Sequence, residues 1–298
     1  MTILVGCSGW SYDDWIGGFY PIELANKKGA WFDYYAKYFS TVEINSTFYK
    51  PPGEFQVNAW IKKGKDKKGF EYSLKVPQLV THKALVEGDK EKAIFWATSF
   101  EKTCVKPLAE SGLLGGVLFQ ALPSHDFKNE GSAIKSLRSV LDVVSHQKFD
   151  YAVEFRHNSW LGESRKEIDA AALEALRERN VANVLIDGPG LHVMTEQTAD
   201  HSYYRFHGRN YDIWYGQEKE DDHRLDRYDY LYSRDQLEPW VAEIKRVERA
   251  TTRKARIYFN NHARAKSIRN GFLLMDMLLI DHKQKEIKLQ DQFTLGEF

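Results

Sequence analysis

The segment Asp150-Tyr-Ala-Val-Glu-Phe-Arg156 decides the fold. Alternate residues of a strand point to opposite faces. Tyr151, Val153 and Phe155 therefore share one face, and Ala152, Glu154 and Arg156 share the other. Three further segments repeat the pattern. Val42 and Ile44 oppose Glu43 and Asn45; Tyr204 and Phe206 oppose Tyr203, Arg205 and His207; Ile257 and Phe259 oppose Tyr258 and Asn260. A doubly wound sheet is covered by helices on both faces and needs apolar residues on both. In a closed barrel only the outer face meets helices, so a polar face points inside. The alternation predicts a barrel.

Working outward, strands are expected near 3–8, 41–45, 70–75, 116–121, 151–156, 182–187, 202–207 and 256–261, each bounded by Gly, Pro, Asn or Asp. Apolar residues recur at helical spacing between them. Ala93, Ala97, Phe100, Cys104 and Leu108 lie on one face, as do Ile134, Leu137, Leu141 and Val144. The same period runs through Leu237, Val241, Ile244 and Val247, and through Ile268, Phe272, Met275 and Leu279. Helices also fit 31–39 and 166–179. Eight strands alternating with helices in 298 residues predict one TIM-type (β/α)8 barrel domain over 1–298. The stretch 188–201 carries Gly-Pro-Gly and no helical period, so a loop or degenerate helix is expected after strand six.

Composition narrows the function classes. Lys+Arg and Asp+Glu are each 42, giving a formal net charge of zero. A general polyanion binder would be basic overall; a local basic groove stays open. Lys62-Lys-Gly-Lys-Asp-Lys-Lys-Gly69 reads as a solvated loop or a nucleic-acid contact. Aromatics reach 14%, enough for a core and a stacking cleft. Cys7 and Cys104 form no metal spacing or disulfide framework. No apolar run approaches the ~20 residues of a membrane span. The N-terminal Met1-Thr-Ile-Leu-Val-Gly6 lacks the basic flank of a secretory leader, so a cytoplasmic protein without membrane partners is expected.

The inward residues near the strand ends are Ser8, Glu43, Asn45, Lys75, Gln120, Glu154, Arg156, Asp187, Arg205, His207, Asn260 and His262. Catalytic groups sit at this end of such barrels. An unpaired buried charge costs several kcal/mol, so Glu43, Glu154 and Asp187 are expected to pair with Lys75, Arg156 and Arg205. An internal network that only fixes the core is the competing explanation. Val, Ile and Leu would pack a core at lower cost, so the polar interior points to a site.

Several runs extend this set: Gly6-Cys-Ser-Gly-Trp-Ser-Tyr-Asp-Asp-Trp15, Phe19-Tyr-Pro21, Glu43-Ile-Asn-Ser-Thr-Phe-Tyr49, Ser73-Leu-Lys-Val-Pro77 with Thr81-His82, Val153-Glu-Phe-Arg-His-Asn-Ser-Trp160, Tyr204-Arg-Phe-His-Gly-Arg-Asn210 and Tyr258-Phe-Asn-Asn-His262. Together they resemble the YecE-like family, the domain of unknown function seventy-two, from first strand to last. The resemblance implies a TIM-barrel-like fold and no established reaction. It also implies a shared cleft holding Glu43, Asn45, Lys75, Glu154, Arg156, His157, His207, Asn260 and Asn261. Ala121-Leu-Pro-Ser-His125 matches more loosely, and no role is carried to His125.

The residues themselves leave several chemistries open. Paired carboxylates suit glycoside hydrolysis, but strand four ends in Gln120 and strand seven in His207, where barrel glycosidases commonly place the pair. His82, His125, His157, His207 and His262, with Glu43, Glu154 and Asp187, could ligate a divalent metal as in a metal-dependent phosphodiesterase or isomerase; no local metal motif is present. The metal and any other cofactor stay unknown. After strands seven and eight, Gly208 allows close backbone approach and Arg209 could clamp an anion, with Asn260-Asn-His262 opening the last helix. A glycine turn with an exposed Arg is the plainer reading. Trp10, Tyr12, Trp15, Phe48, Tyr49, Trp160, Trp214 and Tyr215 could stack a base or sugar, or close the barrel top as packing. No dinucleotide, Walker or nucleophile-elbow motif occurs.

The reading reached is an enzyme acting on a phosphate-bearing or otherwise anionic small molecule or nucleotide, such as a hydrolase or phosphoesterase. Glu43, Lys75, Glu154, Arg156 and His207 are its candidate catalytic residues. Glu154 or Glu43 is expected as base, with Lys75, Arg156 and Arg209 as electrostatic stabilisers. Ser8, Trp10, Asn45, Tyr49, His157, Trp160, Arg205, Gly208, Arg209, Asn260 and Asn261 are candidate substrate contacts. The alternative is a non-catalytic barrel that binds nucleic acid or another polyanion.

Overall fold

The computed structural model describes residues 1–121, 133–164, 167–189, 196–214, 227–248 and 253–284. Eight parallel strands close into a barrel in sequence order. They are β1 (Thr2–Ser8), β2 (Thr41–Ile44), β3 (Glu71–Lys75), β4 (Leu114–Ala121), β5 (Tyr151–Phe155), β6 (Ala182–Asp187), β7 (His201–Phe206) and β8 (Lys254–Phe259). β1 pairs with both β2 and β8, which removes the sheet edges. Outside lie α1 (Lys28–Tyr35), α2 (Glu54–Gly64), α3 (Lys90–Phe100), α4 (Ala133–Leu141), α5 (Ala170–Arg177), α6 (Arg234–Glu248) and α7 (Lys266–Leu278). α3 continues through a π-helical turn at Glu101–Val105 into Lys106–Glu110. Among the described residues of 188–201, none before β7 is helical. No described helix is long and apolar enough to cross a membrane.

The alternation sorts the two faces. The outward set, including Val42, Ile44, Val153, Phe155, Tyr204, Phe206, Ile257 and Phe259, joins the large core between strands and helices. Cys7 belongs there too, and burial pushes its thiol up to about 12, which removes it as a nucleophile. Inside the barrel, a small apolar cluster of Leu118, Ala152, Ala182, Val184, Ile186, Tyr203 and Tyr258 fills the middle. A Cβ at Gly116 would stand 2.8 Å from the Tyr203 ring, so glycine makes room for the large inward tyrosine. Tyr258 joins the wall through its hydroxyl, 2.7 Å from both Thr41 Oγ1 and Ser73 Oγ.

Two local readings change. Asp187 does not point inward: Ile186 takes that face, and Asp187 meets the helix layer. In β6 the apolar Ala182, Val184 and Ile186 face inward and the polar Asn183 and Asp187 share the outward face with Leu185, the reverse of the alternation in the other strands. The second change is α2, which has no counterpart among the expected helices. Its buried residues are Val57, Trp60 and Gly64, and the Lys62–Gly69 patch obscures that short stripe.

Candidate active site at the barrel mouth

Polar side chains cap the apolar middle at the C-terminal strand ends. Arg205 on β7 lies between two carboxylates. Its Nη2 donates to Glu43 Oε1 at 2.7 Å and its Nη1 to Glu154 Oε2 at 2.6 Å. Glu43 also accepts from Ser8 Oγ at 2.7 Å and Tyr203 OH at 2.6 Å. Glu154 Oε1 lies 2.8 Å from His207 Nε2 and 3.9 Å from Arg156 Nε. His207 Nδ1 faces Asn260 Nδ2 at 3.0 Å, and Asn45 Nδ2 donates weakly to Asn260 Oδ1 at 3.5 Å. Strand register makes this possible: Ser8 is opposite Glu43, and Gln120 is opposite Glu154. Ser8, Glu43, Glu154, Arg205 and His207 are all essentially inaccessible to solvent.

Charge in this cluster settles the protonation states. Burial opposes ionisation of Glu154, but Arg205, then Arg156 and the His207 bond, hold it well below the usual carboxylate range. Burial, then Arg156 and Arg205, lower His207 to about 4, so near pH 7 its ring is neutral. With Asn260 Nδ2 donating to Nδ1, Nε2 carries the hydrogen and donates to Glu154. Burial also works against Arg205, yet Glu154 and Glu43 keep its affinity for the proton raised.

Lys75 differs from all of these. It is 8% exposed at the end of β3, and among the described residues no acceptor lies within hydrogen-bond distance of its Nζ. Thr47 fixes the strand end, accepting from Lys75 N at 3.2 Å and donating to its carbonyl at 2.6 Å. Thr47 sits in a one-turn helix, Ser46–Tyr49, which brings the Phe48 ring to 4.0 Å from Nζ. The ring returns about 2 kcal/mol to an ammonium desolvated as this one is. Burial and the neighbouring Arg205 lower Lys75 to about 7, with Glu154 opposing and Arg156 reinforcing. His82 packs edge-on against the same Phe48 at 4.8 Å, and its Nδ1 lies 2.7 Å from Thr81 Oγ1. Burial, then Lys75 and Arg156, lower His82 to about 4.

The expected anion clamp is not formed by Arg209 and Gly208. Arg209 gives Nε and Nη2 to Asp187 at 2.9 and 2.6 Å. Asp187 also accepts from Tyr232 OH at 3.0 Å and Trp240 Nε1 at 2.6 Å, so this pair ties β6 and β7 to α6. The Gly208 N–H donates to Tyr232 OH at 2.8 Å. Its φ of 89° and the 2.7 Å that a Cβ would leave to Tyr230 explain the glycine. Asn261 donates to the Tyr230 carbonyl and Asn270 Oδ1, again as a strut. The last helix opens at Lys266, after a kinked turn, rather than at Asn260.

The remaining predicted contacts divide. Trp160 is 2% exposed and packs on Phe155 at 4.8 Å, so it belongs to the core. Trp15 is likewise wholly buried. His157 is exposed, and its Nδ1 accepts from Ser159 N at 3.1 Å. Trp10 is half-buried against Phe32. With Ser8, Tyr12, Asn45 and Trp60 it lines a cleft of ≈ 250 Å³ beside the mouth. Tyr49 stands 72% exposed on the rim. His125, Tyr215 and the Trp214 side chain lie outside what is described. A divalent cation fits the mouth poorly: Glu43 and Glu154 already share Arg205, whose guanidinium takes the place between the carboxylates. Among the described residues no group of three or more His, Cys, Asp or Glu could hold a metal ion. Sequence reasoning missed the pairing of His82 and Phe48 around Lys75, although Thr81-His82 stood among the quoted runs.

Residues 4–293 match the family model described as "Protein of unknown function DUF72". The chain belongs to the DUF72 family. It is 26% identical over 290 residues to the UPF0759 protein YunF of Bacillus subtilis (strain 168), covering 94% of this chain and 96% of that protein. The crystal structure of a DUF72 family protein from Thermotoga maritima MSB8 superposes with a TM-score of 0.76 at 29% identity, covering 94% of this chain and 100% of that one. A DUF72 family protein from Enterococcus faecalis V583 shares the fold at TM-score 0.74 and 20% identity, covering 95% and 97% of the two chains. Family and fold are thus shown; the DUF72 description carries no activity.

Proposed function

We propose that this DUF72 protein is an enzyme that binds a phosphate-bearing or otherwise anionic small molecule at the C-terminal mouth, with the Lys75 amine as its reactive group. The observation that carries the reading is Lys75 itself, nearly buried, with Arg205 and Arg156 opposing its charge and no acceptor among the described residues. Among the described residues, two arginines and two carboxylates carry the fixed charge near the mouth. A protonated Lys75 leaves one positive charge in excess, which an anion would balance. The carboxylates are poor candidates for the base. Both are spent on Arg205, and Glu154 is held too acidic to take a proton near pH 7.

Inorganic phosphate titrated by calorimetry tests the binding half. Lys75→Met should weaken its affinity by about 1–3 kcal/mol, the scale of a lost charge-assisted hydrogen bond. Arg209→Ala should leave it unchanged, because Arg209 is committed to Asp187. Equal affinity in wild type and Lys75→Met would sink the reading.

A further inference from the structure

Lys75 has surroundings that work against its charge. The carboxylates that could have paired with it bind Arg205 instead, and Arg205 and Arg156 oppose its charge while Glu154 and Glu43 favour it; the Phe48 face 4.0 Å from Nζ is the contact in its favour. A lysine retained only to hold an anion gains from keeping its proton. Desolvation in an apolar pocket beside other cations is instead the arrangement that frees an amine to act as a nucleophile. The amine competes with its own proton, and burial and Arg205 bring that proton off at about 7. The half-buried His82, on the same Phe48 ring, supplies a neutral imidazole that can carry protons.

We propose that the Lys75 amine forms a Schiff base with a small carbonyl compound that carries an anionic group, with Arg156 answering that group's charge. The inference rests on the anion-binding reading above and deepens it by naming the substrate class. In the first step the Nζ lone pair attacks the carbonyl carbon. A C–N bond forms, and the C=O π pair moves to oxygen. A proton passes from nitrogen to that oxygen to give a neutral carbinolamine. In the second step the nitrogen lone pair forms C=N, the C–O bond breaks, and the hydroxyl leaves as water with the second nitrogen proton. One amine and one carbonyl give one imine and one water, with no oxidation or reduction. His82 is assigned as the proton carrier between these steps.

The test is trapping on the full-length protein at pH 7.5. Glyoxylate, pyruvate and glyceraldehyde 3-phosphate are each added with sodium borohydride, which reduces an imine to a stable secondary amine, and labelled lysines are mapped by peptide mass spectrometry. At least one of the three should label Lys75 tenfold or more faster than any other lysine. Propionaldehyde, which has no anionic group, should show no such preference. Lys75→Arg keeps the charge and cannot form the imine. It should abolish the selective label. If Lys75→Arg fails to fold, saturating phosphate on the wild type serves instead, and should slow labelling of Lys75 at least fivefold. Failure of all three probes to favour Lys75, with phosphate binding intact, overturns the Schiff-base inference and leaves the anion site standing. Loss of phosphate binding in the wild type overturns both.

Discussion

The barrel is polar at both ends, but the two ends are finished differently. At the N-terminal floor, Arg256 gives Nε to Glu71 at 2.5 Å and Nη1 to Asp150 at 2.7 Å. Lys254 reaches Glu71 at 2.7 Å, and Arg253 also bonds Asp150. His201 Nε2 lies 3.0 Å from the Tyr151 carbonyl. These buried charges meet opposite charges. At the mouth, among the described residues, Asn45 Oδ1, Gln120 Oε1 and Arg205 Nε are buried without a partner, and Lys75 has no acceptor. The floor also borders the larger cleft, ≈ 410 Å³ against ≈ 250 Å³, yet its charged lining is spent on itself. Cleft size therefore does not locate the chemistry here. Unfinished hydrogen bonding supports the mouth as the proposed site, because a buried polar group left unpaired costs about 1–3 kcal/mol unless a ligand completes it.

If the floor is structural, breaking it should affect stability alone. Among the described residues, Arg256→Met leaves Glu71 with Lys254 and Asp150 with Arg253 as their only fixed cations, and should cost about 3 kcal/mol in denaturant melts, with phosphate affinity unaltered. A folded variant that loses phosphate would move the site to the floor and break the comparison. Glu154→Gln touches the mouth, where stability and function are linked. Arg205 keeps only Glu43, so a loss of about 3 kcal/mol is expected. Because Glu154 favours the Lys75 proton, its removal should also lower the pH at which Lys75 titrates. A variant that melts lower with Lys75 titrating unchanged would make Glu154 a strut.

Lys75→Met carries a smaller effect of opposite sign. The unfolded chain keeps the Lys75 proton up to its ordinary value of 10.5, while the fold releases it near 7. Between these values the unfolded chain binds more protons, so Lys75 makes stability rise with pH. Below pH 7 the fold bears the full burden of the buried charge. Lys75→Met should therefore stabilise the fold at pH 6, with the gain shrinking toward pH 10. A destabilised variant at pH 6 would mean that Lys75 is paired after all.

The barrel was legible in the sequence because Glu154, Arg205 and Tyr258 sit among outward apolar residues, and alternation separates the two sets. In β6 the polar Asn183 and Asp187 face outward and the apolar residues face inward, so the same logic failed and turned Asp187 the wrong way. The site residues were legible as a group but not in their roles. Arg209 reads as an exposed clamp until Asp187, Tyr232 and Trp240 arrive from distant segments. Glu154 reads as a base until Arg205 stands beside it. Lys75 reads as an ordinary cation, since its burial under Phe48 depends on a turn that Thr47 ties to β3. Spacing along the chain reports none of these long-range pairings.

The central claim is that Lys75, alone among the described lysines, is poised at the mouth to lose its proton near neutrality. Its rate of acylation by acetic anhydride, followed from pH 5 to 11 by mass spectrometry of the peptide containing Lys75, measures this directly. The account predicts a rate that rises through a midpoint at about 7 and shifts upward when phosphate is present. A midpoint in the ordinary lysine range near 10.5, unmoved by phosphate, would contradict it.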